Sequence, residues 1–453
     1  MLINLPKNLI TLAKKLHRPL YAVGGVVRNF LIDGSIAADV DLAAAIPAAE
    51  FVTALKGSGF TVEAEYKRTG TVMFSGDGYK YEFTSFRREK YQKGGAHTPI
   101  STEFTEDVFE DALRRDFKCN AIYYDIVSGE FVDPLNGRAD IKDRVLDTVV
   151  EPEKVFSSDG LRLMRLARFT GELNFKPTYN VMVAAKKYAD NVKDVSPERI
   201  FCELNLILQA DGKYRFSDTM GHYNALKVLD ETRVLDRIFP ELTDGRGMAQ
   251  RADFHRYDVL EHGLRSVAYA HPNVRLAALL HDVGKPYCLR RDGYYYHHFE
   301  EGERIAESIL KRYKASNEVI KQVKYLVHDH MIDLDCSMKE IKVRKYIVKN
   351  HDRLEELMMV KQADFRASLE IDDTAPALVK WKRIYERMKA DGTPFNLKEL
   401  EISASDLIKI GFSGEQIGKE LKSLLDYAVI NPDKNETFTL IQLAERDYNR
   451  LKG

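Results

Sequence analysis

At 453 residues the chain is too long for a single compact core, and roughly three or four domains are expected. Its 44% hydrophobic and 30% charged residues exclude a disordered or fibrous chain and fit a soluble globular protein. A formal net charge of −1 excludes a global basic field, so any nucleic acid must meet a local basic surface.

The N-terminal stretch MLINLPKNLITLAKKLHRPL reads as an amphipathic helix, with Leu9, Leu12, Ala13 and Leu16 on one face. Lys7, Lys14 and Lys15 interrupt the apolar run that a signal peptide needs. Residues 20 to about 135 alternate strands and helices. PLYAV is a strand, GG a turn, VVRNFLI a helix start and DVDLAAA a second strand. TVMFS and YKYEFTSF have period two and predict a hairpin around Asp77-Gly78. EDVFEDALRRDF is helical, and NAIYYDI and EFVD are strands, so residues 1–150 form a small α+β domain. After Pro152 the patterns LRLMRLARF and PERIFCELNLIL have a 3.6-residue period and predict a helical neck over 151–250. Residues 251–372 are helical and rich in histidine: nine of the twelve lie between 255 and 370. A helical tail over 373–453 carries turns at Gly411, Gly414 and Gly418. Cys119, Cys202, Cys288 and Cys336 have neither metal-ligand nor disulfide spacing, and no stretch is apolar enough to cross a bilayer. A cytoplasmic protein with no membrane contact and no obligate protein partner is expected.

Asp39 and Asp41 sit at i and i+2 on one strand, so both carboxylates point to one face. Glu82 lies on another strand, with Tyr81 and Phe83 on its opposite, apolar face. If the strands are adjacent, three carboxylates converge, which is costly unless divalent cations bridge them. Two metals so held can activate a 3′-hydroxyl and stabilise a leaving pyrophosphate in line. Gly24-Gly25, where a strand meets a helix, lets backbone N–H groups approach phosphate, and Arg28 one turn on can neutralise a triphosphate. The alternative is a solvated Asp-x-Asp on an edge strand beside an ordinary turn. The order Gly-Gly, Arg, Asp-x-Asp, strand Glu favours a catalytic site.

Arg114, Arg115 and Asp116 end a helix, where cations complement its dipole, and Asn120 follows. Asp159 and Arg162, at i and i+3, are expected to share a helix face. A carboxylate accepts hydrogen bonds and a guanidinium donates them. Cytosine and adenine each offer an amino donor beside a ring acceptor, which this pair complements. Uracil and guanine present the opposite order. The alternative is a surface ion pair worth a few tenths of a kcal/mol. Arg165 and Arg168 continue the stripe and suit either a solvated face or RNA phosphates.

The segment GGVVRNFLIDGSIAADVDLAAA resembles the signature of the polymerase-β-like nucleotidyltransferases, and most of all their class II branch of tRNA CCA-adding enzymes and bacterial poly(A) polymerases. The resemblance continues through ALRRDFKCNAIYYD, DPLNGRADIKDRVL, DGLRLMRLARFTGELNF and SPERIFCEL, covering roughly the first 210 residues. It implies an α+β fold: a polymerase-β-like nucleotidyltransferase head followed by mostly helical domains. It implies Mg²⁺ on Asp39, Asp41 and Glu82, and a nucleotide held by Gly24, Gly25, Arg28, Arg114, Arg115, Asp116 and Asn120. Asp116 would accept a bond from the ribose 2′-hydroxyl, and Asp159 with Arg162 would read the base, backed by Arg165 and Arg168. Three positions depart from the pattern: Asn29 where Asp is usual, Ser158 where Glu is usual, and Asp147 where Arg is common.

YDVLEHGLRSV, AALLHDVGKP, YYHHFEEGERIA, LVHDHMI and KQADFRA together resemble the HD superfamily of metal-dependent phosphohydrolases. The matched positions are His262, His281, Asp282, His298, His330 and Asp364, with His297 and His328 close beside two of them. Imidazole mixed with carboxylate suits a transition metal such as Mn²⁺, Co²⁺ or Ni²⁺ better than Mg²⁺. The last segment, from ISASDLIKIGFSGEQIG onward, resembles the tail of HD-bearing members, which implies binding to the tRNA body. Its glycines suit either backbone contact with phosphate or helix ends. The expected function is template-independent addition of C and A to the tRNA 3′ end from CTP and ATP. The alternatives are a poly(A) polymerase, an enzyme adding only CC or only A, or an HD phosphohydrolase acting on RNA ends or nucleotides.

Overall fold

The computed structural model describes residues 2–36, 38–91, 99–253 and 255–452. They fall into two compact units, residues 1–244 with 309–316, and residues 245–308 with 317–453.

The first unit opens with the helix Lys7–Lys15, which buries Leu9, Leu12 and Ala13 as its periodicity requires. Nine strands follow: β1 (Tyr21–Val23), β2 (Asp39–Ala44), β3 (Thr61–Tyr66), β4 (Thr71–Gly76), β5 (Tyr79–Ser85), β6 (Arg87–Lys90), β7 (Ser101–Phe104), β8 (Tyr123–Asp125) and β9 (Phe131–Val132). Seven of them form one sheet in the order β3-β4-β5-β2-β1-β8-β9, while β6 and β7 pair separately as a hairpin. The strand bearing Asp39 and Asp41 is thus central, not an edge. β2 runs parallel to β5, with Asp39 opposite Lys80 and Asp41 opposite Glu82. The expected hairpin joins β4 to β5, closing at Gly76 and Tyr79. Its two turn residues, Asp77 and Gly78, have φ of +54° and +79°, the left-handed pair that a two-residue hairpin demands. Beneath the sheet, Phe51 from the helix Ala48–Leu55 stacks on Phe83 with ring centroids 3.7 Å apart. Phe74, Tyr81 and Phe83 are fully buried, which leaves Glu82 on the opposite, open face.

Beyond Pro152 the unit is helical apart from short β pairings. The main neck helix, Leu161–Leu173, buries Leu163, Met164, Leu166 and Ala167. In the second unit the helices Val259–Tyr269, Arg275–Leu280, Lys285–Asp292, His298–Arg312, Asn317–Asp329 and Leu354–Leu369 carry the histidine-rich segments. Further cores gather Val343, Ile347, Trp381 and Ile384, then Leu407, Leu424, Ala428 and Leu440. In the tail, Ser403 and Asp406 form a capping box, Gly411 ends that helix at φ +119°, and Gly414 begins the next at φ +54°. Those two glycines are helix ends, whereas Gly418 lies inside the helix Glu415–Ile430 with nothing packed against it. No helix among the described residues is long and apolar enough to cross a membrane.

Candidate functional site

A cleft of about 880 Å³ opens in the first unit, and Gly24, Asp41, Arg114, Asp116, Asp159 and Arg162 all line it. Gly24 has φ +74°, and a Cβ there would lie 2.8 Å from Asp41 Oδ2. Only glycine fits between the turn and the carboxylate. Asp41 is solvent-reachable but set deep in the cleft wall; lost hydration, with Glu82 opposite, pushes its carboxyl up to about 6. A divalent cation relieves such crowding, so the donors fit one. Asp39 and Glu82 share the open face with Asp41, as the sequence predicts. The three do not come within 4.8 Å as a group, so side-chain rotation would be needed to clasp one ion.

Arg28 is buried, and its guanidinium is shared among neighbours. Nε and Nη2 donate to Asn29 Oδ1 at 3.1 and 2.9 Å, Nη1 to Asn120 Oδ1 at 2.6 Å, and Nη2 to the Tyr214 hydroxyl at 3.2 Å. The Asn29 amide oxygen therefore does for Arg28 what a carboxylate would. Asp147 pairs with Lys118 at 2.5 Å.

Behind Arg114 and Arg115 stands Asp111, which is wholly buried. Its Oδ1 accepts from Arg114 Nε at 2.7 Å, and its Oδ2 from Arg115 Nη2 at 3.0 Å and the Tyr123 hydroxyl at 2.7 Å. Burial opposes its charge, but the two guanidiniums win and hold it well below the usual carboxylate range. Asp116 is likewise held low by Arg165, which donates from Nε at 2.8 Å and Nη2 at 2.5 Å, while its Oδ1 accepts from Asn120 at 3.1 Å. Arg168 pairs with Glu203 at 2.7 Å and Glu172 at 3.3 Å. The Arg165–Arg168 stripe is thus tied into acidic partners rather than forming a solvated face.

Asp159 and Arg162 meet, with Nε 3.8 Å from Oδ2, but not on one helix face as expected. Asp159 is extended, between the helices Pro152–Ser158 and Leu161–Leu173. The chain breaks there because Gly160 packs on the backbone of Asn191, where a Cβ would collide. Arg162 is fixed by donating to the Arg114 carbonyl at 2.6 Å and to Ser158 Oγ at 3.3 Å, so the unusual serine supports it. Burial, opposed by Arg162, pushes Asp159 up to about 6. Tyr91 lies under Arg162, 5.8 Å from ring centroid to guanidinium, and donates to Glu89, which also pairs with Arg87. Asp111, Glu89 and Tyr91 were not read from sequence; the i, i+3 and i+4 spacing of Asp111, Arg114 and Arg115 was the available signal.

In the second unit all six matched HD positions converge. His262, His281 and Asp282 offer ligand atoms within 4.8 Å of one another, and so do Asp282, His298 and His330. Asp282 is the shared member. Its Oδ2 lies 3.2 Å from His281 and 3.5 Å from His262, and its Oδ1 lies 3.3 Å from His298 and 3.7 Å from His330. Asp364 Oδ1 joins the first group, 2.9 Å from His262 Nε2. His281, His298 and His330 each turn Nδ1 to the carbonyl three residues back, at 2.7, 2.8 and 2.7 Å. A carbonyl only accepts, so the proton sits on Nδ1 and the Nε2 lone pair faces the cluster. The donor set fits two cations bridged by Asp282, the second with fewer protein ligands and hence room for water or substrate. Burial disfavours a charged His281, but Asp282 and Asp364 overcome it and hold the imidazole up to about 10, a measure of how strongly the pocket attracts positive charge. Among the neighbouring histidines, His297 and His328 are exposed and lie outside both groups.

Three further residues shape this centre. Lys285 donates to Asp282 Oδ2 at 2.6 Å and Gln250 at 2.8 Å. Buried Lys361, pushed down to about 8 by lost hydration, donates to the carbonyls of His330 and Ile332 at 2.8 and 2.7 Å. Gly284 packs backbone to backbone on the helix bearing His298: a Cβ would collide with the His298 carbonyl and lie 2.6 Å from Gly302 N.

Comparison with known proteins agrees with this order. Residues 20–147 match the Poly A polymerase head domain, 174–245 the probable RNA and SrmB-binding site of polymerase A, and 260–364 the HD domain. An A-adding tRNA nucleotidyltransferase of Deinococcus radiodurans is 31% identical over 277 residues, 57% of this chain and 60% of that one. A CCA-adding enzyme of a Geobacillus species is 32% identical over 246 residues, 53% of this chain and 55% of that one. The chain thus spans between half and two thirds of these two relatives' length. A multifunctional CCA protein of Xanthomonas oryzae is 27% identical over 422 residues, covering 89% of this chain and 96% of that one. The crystal structure of the Bacillus stearothermophilus CCA-adding enzyme in complex with CTP shares the fold, with TM-score 0.66 at 22% identity over 98% of each chain. With head, RNA-binding segment and HD domain matched in one order, this chain belongs to the tRNA nucleotidyltransferase and poly(A) polymerase family, in a form that carries an HD domain.

Proposed function

We propose that the first unit adds C and A to the 3′ end of tRNA from CTP and ATP, releasing pyrophosphate. The observation that carries this reading is the Asp159–Arg162 pair set in the same cleft as Gly24 and Asp41. A base reader beside a nucleotide site needs no nucleic-acid template. Asp39, Asp41 and Glu82 would hold Mg²⁺, which lowers the pKa of the attacking 3′-hydroxyl and takes up charge on the leaving pyrophosphate. Gly24 and Gly25 leave backbone N–H groups free to meet phosphate, and the Arg114–Arg115 pair supplies positive charge. Asp116, held ionised by Arg165, can accept a bond from a ribose 2′-hydroxyl. Arg28 and Asn120 brace this wall. The helical tail is assigned to the tRNA body, and the reaction to the cytoplasm.

The test incubates the protein with tRNA lacking its 3′ end and each labelled NTP, singly and in pairs. Products longer by CCA support the reading. Long poly(A) tails, or addition of A alone or of CC alone, select one of the neighbouring activities instead. Asp41→Ala should abolish incorporation at unchanged fold, measured by circular dichroism.

We infer a second activity, metal-dependent phosphohydrolysis, from the two donor groups sharing Asp282. Hydroxide would attack phosphorus, the P–O bond to the leaving group would break, and the leaving oxygen would take a proton. Purified protein should bind Mn²⁺, Co²⁺ or Ni²⁺ and hydrolyse phosphate esters. Failure in both respects would leave the domain a scaffold.

A further inference from the structure

We propose that Tyr294 and Tyr296 form a base-stacking subsite at the rim of the HD centre, so that its substrate is a phosphate carried by a nucleoside. The proposal rests on the phosphohydrolase reading and names its substrate class. The two rings are 53% and 72% exposed, a large apolar area to leave in water, and their centroids lie 5.1 Å apart. Tyr295, between them, is anchored inward. Its hydroxyl donates to the Ala249 carbonyl at 2.7 Å, and its ring lies 6.0 Å from the Lys285 ammonium, which itself touches Asp282. The Tyr295 carbonyl accepts the Nδ1 proton of His298 at 2.8 Å. One residue therefore orients a candidate metal ligand and fixes the backbone from which the two outward rings project. A phosphate reaching the cluster must leave its organic part outside it, on the side where this loop stands. An aromatic face there stacks any base and gains nothing from a sugar or glycerol alone.

The loop's outward position also explains why both rings are tyrosine, since a hydroxyl keeps an exposed ring soluble when nothing is bound. Stacking of this kind contributes enough that loss of both rings should raise KM roughly tenfold for a nucleoside phosphate.

The experiment compares AMP, a short 3′-phosphorylated oligoadenylate and ribose 5-phosphate as substrates with Mn²⁺, for the full chain and for Tyr294→Ala with Tyr296→Ala. The expected result is a KM increase near tenfold for AMP or the oligonucleotide, with kcat and all ribose 5-phosphate parameters unchanged. The substrate with the larger increase identifies the source as free nucleotide or RNA end. Equal effects on all three substrates, or none, would overturn the subsite. A second measurement does not depend on turnover: photocrosslinking with 8-azido-AMP, mapped by mass spectrometry. Labelling of residues 293–297 supports the subsite even if no substrate is hydrolysed, in which case the phosphohydrolase reading fails alone. Labelling confined to the head overturns the subsite.

Discussion

Asp111 faces two guanidiniums from a fully buried position, so removing its charge leaves both without their partner. Breaking a buried pair of this kind costs about 3–5 kcal/mol. Asp111→Asn should lower the thermal midpoint and weaken CTP binding at least tenfold, because Arg114 and Arg115 lose their fixed directions. Equilibrium binding and thermal unfolding check this, and an unchanged Kd would remove Asp111 from the nucleotide site. Asp159 gives a pH signature. With its carboxyl near 6, it is ionised at pH 7.5 and mostly protonated at pH 5.5. A protonated carboxyl offers a donor where cytosine needs an acceptor, so the UTP-to-CTP incorporation ratio should climb several-fold as pH falls between those values. The ratio cancels the loss of rate that Asp41 brings over the same range. A flat ratio would move base choice elsewhere, as would an unchanged preference order in Asp159→Ala. At this scale the sequence was informative where a motif names its residues, as for the six HD positions. It was silent on Asp111, Glu89 and Lys361, whose partners arrive from distant segments and leave no local pattern.

Elements were legible where periodicity and turn chemistry agree. The β4–β5 hairpin carried both alternation and an Asp-Gly turn. β3 carried neither, because five of its six residues are exposed and no face is apolar. The helical period running through residues 152–173 concealed the break at Asp159, since the cause is a tertiary contact between Gly160 and Asn191. That contact can be probed directly. Gly160→Ala should push the two segments apart, destabilise the protein by about 1–3 kcal/mol and blunt CTP preference over UTP. Single-nucleotide incorporation read beside thermal unfolding separates the two effects. A stable, fully selective variant would show that the break has slack.

The two proposed chemistries draw on residues of different units, which makes them separable by mutation. His281→Ala with Asp282→Ala should abolish transition-metal binding, read by metal analysis as a fall from two ions per chain to none, while CTP and ATP incorporation persists. Loss of incorporation would mean that the centre holds the whole fold together. Cations at one hundred times their Kd should stabilise the second unit by about 2.7 kcal/mol. Within that unit, Gly284 sets main chain against main chain between the His281-Asp282 corner and the helix that starts at His298. Side chains can swing to absorb an error, but two touching backbones cannot. The separation of the paired cations is therefore gauged by a contact that excludes even one methyl group. Metal selectivity in this domain then becomes a matter of ionic radius and bridge length, set by the thickness of a glycine.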